Sequence, residues 1–161
     1  MKMPSYDLVI IGAGPAGMAA ASSASEYGLK VAILDEQASL GGQIYRSLSR
    51  STLVDESILG PDYYQGRALI KQAQKAKFDY LPNSTVWSIS SDLIINLTCQ
   101  QQGRQIKTKK LIIATGAQER PTPFPGWTLP CVMTCGSAQI LLKSSGLTPP
   151  GPLVLAGSGP L

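Results

Sequence analysis

The sequence predicts an α/β fold, a parallel sheet with crossover helices that also carries a small antiparallel meander. Three observations lead there. The apolar run Leu8-Val9-Ile10-Ile11 passes directly into Gly12-Ala13-Gly14-Pro15-Ala16-Gly17. A second apolar run, Val31-Ala32-Ile33-Leu34, closes on an acid, Asp35. Residues 85–113 alternate short β-prone segments with turn signals.

The first run reads as a buried strand, the Ala-rich stretch from Met18 to Tyr27 as a helix, and the second run as another strand. Residues 7–35 are thus a β-α-β unit. Its glycines and the acid about 20 residues further on have the spacing of the dinucleotide-binding fingerprint of Rossmann-like folds. Gly12 permits a tight turn out of the strand, Gly14 lets the backbone approach a pyrophosphate, and Gly17 lets the helix pack close. Pro15 and Ala16 open the helix, whose unpaired amides and dipole favour an anion. Asp35 is positioned to accept from a ribose hydroxyl. Glu36, one residue beyond, is the second choice.

A glycine pair, Gly41-Gly42, follows, with Gln43 after it. The Ser-rich stretch from Ser47 to Ser57 reads as a loop or irregular helix. Tyr63 to Lys77 has helical spacing, with Tyr64, Ala68, Leu69, Ala73 and Ala76 on one face, and Pro82-Asn83 breaks it. Val86 to Ile89, Leu93 to Cys99 and a short strand around Ile106 form a three-stranded meander. The run from Lys110 to Ala114 reads as a separate, buried parallel strand that ends in Thr115-Gly116-Ala117. Prolines at 121, 123, 125 and 130 mark an extended connector, and Ser137 to Ser145 a short helix stopped by Gly146. After Pro149-Pro150-Gly151-Pro152, Leu153-Val154-Leu155 leads as a strand into Gly157-Ser158-Gly159-Pro160, which repeats the grammar of residues 12–15. The expected organisation is a Rossmann-like domain over 1–125, a linker with a short helix over 126–152, and the opening of a second Rossmann-like, NAD(P)-binding-like domain over 153–161. A chain built this way is expected to be part of a longer one.

Composition narrows the chemistry. The chain of 161 residues is 43% hydrophobic and 15% charged, which suits a globular domain. Its formal charge of +4 is dispersed. The densest basic cluster, Lys107, Lys109 and Lys110, lacks the interleaved aromatics of a single-strand reader, so nucleic acid is not an expected partner. The apolar run at Leu8 is too short for a membrane span. Three cysteines and no leader-like segment make the cytoplasm the expected compartment. The sequence contains no histidine, which excludes Ser-His-Asp triads and His–metal sites, so no metal is expected. Chemistry here needs a cofactor or another chain.

The wider pattern is similar to the FAD domain of flavoproteins with two dinucleotide-binding domains. Leu34-Asp35-Glu36-Gln37 with Gly41-Gly42-Gln43-Ile44-Tyr45-Arg46 resembles the FAD-binding subunits of opine (octopine or nopaline) oxidases, hydrogen cyanide synthase and dye-linked proline dehydrogenases. So do Ala114-Thr115-Gly116-Ala117-Gln118-Glu119-Arg120-Pro121 and Phe124-Pro125-Gly126-Trp127. The resemblance covers essentially the whole chain and implies FAD as cofactor, with NAD(P) conceivable in a longer parent. It also implies an amine or opine substrate, with a second oxidoreductase subunit close to where that substrate binds. By the same resemblance Gly12, Gly14, Ala16 and Gly17 line the pyrophosphate and Asp35 the ribose. Gly42 and Gln43 pass near the flavin side, Val86 holds adenine through its backbone, and Thr115 and Gly116 close over the cofactor. Gln43, Tyr45 and Arg46 are within conceivable reach of substrate or flavin, and no catalytic side chain is singled out. Cys131 and Cys135 replace the glycine and alanine usual at these positions.

Three readings follow. The first is an FAD-dependent oxidoreductase subunit oxidising an opine, amino acid or other secondary amine. The second is a thioredoxin-reductase-like disulfide oxidoreductase using Cys131 and Cys135. The third is a flavin-binding fragment without turnover of its own.

Overall fold

A computed structural model of the protein describes residues 3–49 and 57–157. Its elements are β1 (Ser5–Ile11), α1 (Pro15–Glu26), β2 (Val31–Leu34), α2 (Gly60–Lys75), β3 (Asp79–Leu81), β4 (Ser84–Ile89), β5 (Ile94–Cys99), β6 (Gln102–Ile113) and α3 (Cys135–Ser145). The β-α-β unit stands where the sequence predicts it, and the helix over 137–145 begins two residues earlier. Most of the Ser47–Ser57 stretch, and Ser158 to Leu161, lie outside the described residues.

All six strands join one mixed sheet in the order β3-β2-β1-β6-β5-β4. The β3-β2-β1-β6 part is parallel, and β6-β5-β4 is the antiparallel meander. The meander's third strand and the expected separate parallel strand are one twelve-residue strand, β6. Its first half pairs with β5 (Ile106 opposite Ile95), and its second half runs beside β1 (Ile112 opposite Ile10).

Strand alternation gives the sheet two packed faces. Ile10 and Ile33 point to the side covered by α1 and α2, where Met18, Ala21, Tyr63, Ile70 and Ala73 meet them. Val9, Ala32 and Leu34 point to the other side, against Ile95, Leu97, Cys99 and Ile106 of the meander. Val9, Ile10, Ile33 and Leu34 are fully buried, each stabilising by about 1.5–3 kcal/mol. The buried face of α2 is Tyr63, Gly66, Ile70 and Ala73, rotated from the one the sequence suggested; Ala68 faces solvent.

Two expectations are corrected. The end of β6 is not buried: Ile113 is 66% exposed, because the described residues bring no helix over that end. The strand expected over 153–155 is not formed. Leu153, Val154 and Leu155 are extended and exposed, and no described strand lies beside them to complete a ladder.

Candidate functional site

The carboxyl ends of β1, β2 and β6 lie at one edge of the parallel sheet, with β1 between the other two. The connection from β1 goes to β2 on one side while β6 returns on the other. Such a reversal of strand order is where open α/β sheets bind ligands. The glycine-rich turn sits there.

Gly12 follows β1 with φ +105, a conformation that disfavours a side chain, and its amide donates to the Leu34 carbonyl at 2.8 Å. A Cβ on Gly12 would run into the Ala114 carbonyl, and one on Gly17 would run into the Gly12 carbonyl. These two glycines therefore let β6, the turn and α1 close on one another. Gly42 has φ +59, and a Cβ there would lie 2.7 Å from the Gly14 Cα. The second glycine pair is thus packed against the first, helped by the Gly41 amide donating to the Ala13 carbonyl at 2.9 Å.

Gly14 differs from the others. A Cβ built on it has nothing nearer than the Gly42 Cα at 4.0 Å. It caps α1 with no side-chain acceptor, and Pro15 takes the first helical position. Ala16 is exposed and Gly17 buried. An α-helix leaves its first amides without intrahelical partners, and the bare Gly14 stands at this helix start with open space where a side chain would be.

Asp35 is half-buried at the end of β2. One carboxylate oxygen accepts from the Ala13 amide, and the other from the Gln37 amide at 2.6 Å. Its first action is to brace the turn, a use that the sequence pattern does not reveal. Each oxygen retains a second lone pair for a ribose hydroxyl. The Asp35 carbonyl accepts from the Ser84 amide at 2.8 Å, which pins the start of β4 beside this acid. Val86 lies two residues on, half-buried opposite Leu97 on the edge strand, just before a bulge at Trp87. Glu36 is exposed. Thr115 and Gly116 follow β6 at the mouth of the turn, both exposed.

The structure therefore gathers Gly12, Gly14, Pro15, Ala16, Gly17, Asp35, Gly42 and Thr115 around the end of β1. Gln43 is exposed, and the contacts it makes are with two cations: its side-chain oxygen accepts from Arg46 at 3.3 Å and its carbonyl from Lys143 at 3.4 Å. Tyr45 lies with its ring against Gly66 of α2, where a Cβ would strike it, so it is a packing residue. Ala13, Gly41 and Lys143 are contributors that sequence reasoning passed over. Gly41 was signalled by its glycine pair, whereas nothing local marks Lys143.

Cys131 is exposed in a left-handed conformation, and Cys135 is half-buried as the first residue of α3; both are free thiols. The start of α3 is held by Thr134, whose hydroxyl accepts from the Ser137 amide, and by Glu119, whose carboxylate accepts from the Gly136 amide at 2.9 Å. The Thr134 hydroxyl and the Gly136 amide hold the Glu119 carboxyl below its usual range. Among the described residues no cluster of His, Cys, Asp or Glu is suited to a metal. No helix of the described residues is long and apolar enough to cross a membrane.

Comparison with known proteins agrees with this geometry. The family model for pyridine nucleotide-disulphide oxidoreductases matches residues 6–161. The chain is 48% identical over 164 residues to an opine oxidase subunit of Agrobacterium tumefaciens, covering 97% of this chain and 33% of that protein. It is 38% identical to hydrogen cyanide synthase subunit HcnB of Pseudomonas protegens, covering 98% of this chain and 34% of that one. The chain thus spans about a third of the length of these relatives. Among solved structures, L-proline dehydrogenase from P. horikoshii superposes with a TM-score of 0.69 at 20% identity, over 89% of this chain and 29% of its own, which shows a shared fold. The glycine-rich turn at the switch point and the family match together place the chain in the pyridine nucleotide-disulphide oxidoreductase family.

Proposed function

We propose that this chain is the cofactor-holding part of an FAD-dependent oxidoreductase acting on an opine, amino acid or other secondary amine. The observation that carries the cofactor reading is the cleared space at Gly14. Gly12, Gly17 and Gly42 are filled against neighbouring backbone, and Gly14 alone of the four faces open room at a helix N-terminus. The residues present fit a dinucleotide. The first-turn amides of α1 suit its pyrophosphate, Asp35 suits a ribose hydroxyl, and the Val86 backbone, two residues beyond the Ser84 amide that donates to the Asp35 carbonyl, is our candidate for the adenine. Thr115, Gly116 and Gln43 border the exit toward the flavin end.

When bound, FAD supplies the two-electron acceptor needed to oxidise a C–N bond to an imine, which water then hydrolyses. The chain's own part is to bind and orient. Asp35 fixes the turn through Ala13 before any ligand arrives, so little reorganisation is needed on binding. The relatives named as opine oxidase subunits support both an amine-type substrate and a second polypeptide in the enzyme. NAD(P) belongs to the same proposal only for a longer parent.

Anaerobic addition of an opine to the purified, FAD-loaded protein should bleach the flavin absorption. Failure to bind FAD overturns the cofactor reading. A flavin that binds but is reduced by no opine, amino acid or secondary amine overturns the substrate reading alone. The disulfide-reductase alternative predicts that Cys131→Ser abolishes activity; the amine reading predicts no loss.

A further inference from the structure

Arg46 and Lys143 lie almost a hundred residues apart in sequence, yet they meet over Gln43. The Arg46 guanidinium donates to the Gln37 side-chain oxygen at 2.8 Å and to the Gln43 side-chain oxygen at 3.3 Å. Its Nε is buried without a partner. The Lys143 ammonium donates to the Gln43 carbonyl at 3.4 Å and to the Gln139 side chain at 3.3 Å. Every one of these acceptors is neutral. Among the described residues neither cation has a carboxylate within ion-pair distance.

Tyr63 holds the two together. Its buried ring lies under the Lys143 ammonium, 5.7 Å from the centroid, and its hydroxyl donates to the Arg46 carbonyl at 2.6 Å. Three segments, the loop after Gly42, α2 and α3, therefore converge to hold two like charges side by side and half-buried. Burial and the neighbouring guanidinium both push the Lys143 ammonium below its usual value. Such a pair is unfavourable unless an anion joins it. A guanidinium beside an ammonium matches the two oxygens of a carboxylate or phosphate. Lys143 also borders a crevice of about 390 Å³ whose walls include Ile44, Tyr45, Leu142 and Asp62.

We infer that Arg46 and Lys143 form an oxyanion site for the carboxylate or phosphate of a small molecule, separate from the pyrophosphate turn. This rests on the flavin reading above only for the source of the anion, since Gln43 stands toward the proposed flavin side.

The test is calorimetric titration of the purified protein at low ionic strength with two probes, inorganic phosphate and an N-carboxyalkyl amino acid, and separately with FAD. The proteins are wild type, Arg46→Gln and Lys143→Gln. Lys143 lies on α3, which has no buried residue, so its variant is expected to fold; circular dichroism checks both. At least tenfold weaker binding of one probe or both in each variant, with FAD affinity within twofold of wild type, supports a site for a separate anionic ligand. Parallel loss of FAD affinity supports the oxyanion site and assigns its occupant to the cofactor. Unchanged titrations in both folded variants overturn the proposal and leave Lys143 as a tether for α3. A wild type that binds phosphate or the amino acid but not FAD refutes the cofactor reading and leaves this site standing.

Discussion

Two regions of the molecule end at the same edge of the sheet and are built in opposite ways. Around the β1–α1 turn, each of Gly12, Gly17 and Gly42 sits where one extra carbon would strike backbone. From the end of β6 onward the contacts thin out. Ile113 is 66% exposed, Val154 is 91% exposed, and α3 buries no residue. The first region is complete as it stands, and its structure is dictated by close backbone approach. The second presents apolar side chains that the described residues do not cover, held in place by polar ties such as Glu119 to Gly136 and Lys143 to Gln43. Substitutions should therefore act strongly in the first region and weakly in the second.

The largest effect is expected at Gly17. Gly17→Val places a branched side chain against the Gly12 carbonyl, and α1 must move off β1. A loss of roughly 3 kcal/mol or more in urea unfolding is expected. Gly42→Ala combines a positive φ with a 2.7 Å approach to Gly14, and should lose about 1–3 kcal/mol. Asp35→Ala strands the Ala13 and Gln37 amides and should destabilise by about 1–3 kcal/mol, while also weakening FAD. Unchanged unfolding for any of these would erase the distinction between the two regions. By contrast, Ile113→Ser should shift stability by no more than about 0.5 kcal/mol; a larger loss would mean that this end of β6 is packed in solution.

Glu119 gives the smallest effect, and its sign follows from its lowered pKa. The carboxylate form is favoured in the folded state, so its contribution is fully present above the ordinary value of 4.5 and is lost as pH falls through the lowered folded value. The protection of the amides at the start of α3, relative to their intrinsic exchange at each pH, should therefore fall at acid pH in wild type. Glu119→Gln should show low protection there at neutral pH already and lose less of it in acid. An acid response equal to that of wild type would remove Glu119 from the anchoring of α3.

The β-α-β unit was legible because its signals are local: an apolar run, glycines at fixed spacing and a terminal acid. The strand β3 was not, since Asp79–Leu81 is only three residues long and is defined by pairing with β2 rather than by pattern. The continuity of β6 was hidden by Lys107, Lys109 and Lys110, together with Thr108, a polar residue at an inward position. Thr108 is buried there because its hydroxyl donates to the Lys110 carbonyl at 2.7 Å, and Lys109 is held on the surface by Asp7 at 2.7 Å. At the site, the residue types were legible but the division of labour among the glycines was not. That division depends on what each would touch across the fold, as Gly42 touches Gly14. Arg46 and Lys143 had no sequence signal as a pair, because chain separation hides what the loop after Gly42, α2 and α3 bring together.

If Gly14 is bare to admit a ligand while its neighbours are bare for packing, its substitution alone separates binding from stability. The most direct test is FAD titration of Gly14→Ala beside its urea unfolding curve. Unfolding like wild type is expected, because the new methyl meets nothing closer than 4.0 Å, with FAD affinity at least tenfold weaker, or roughly 1.4 kcal/mol. A stable Gly14→Ala protein that binds FAD as tightly as wild type would contradict it.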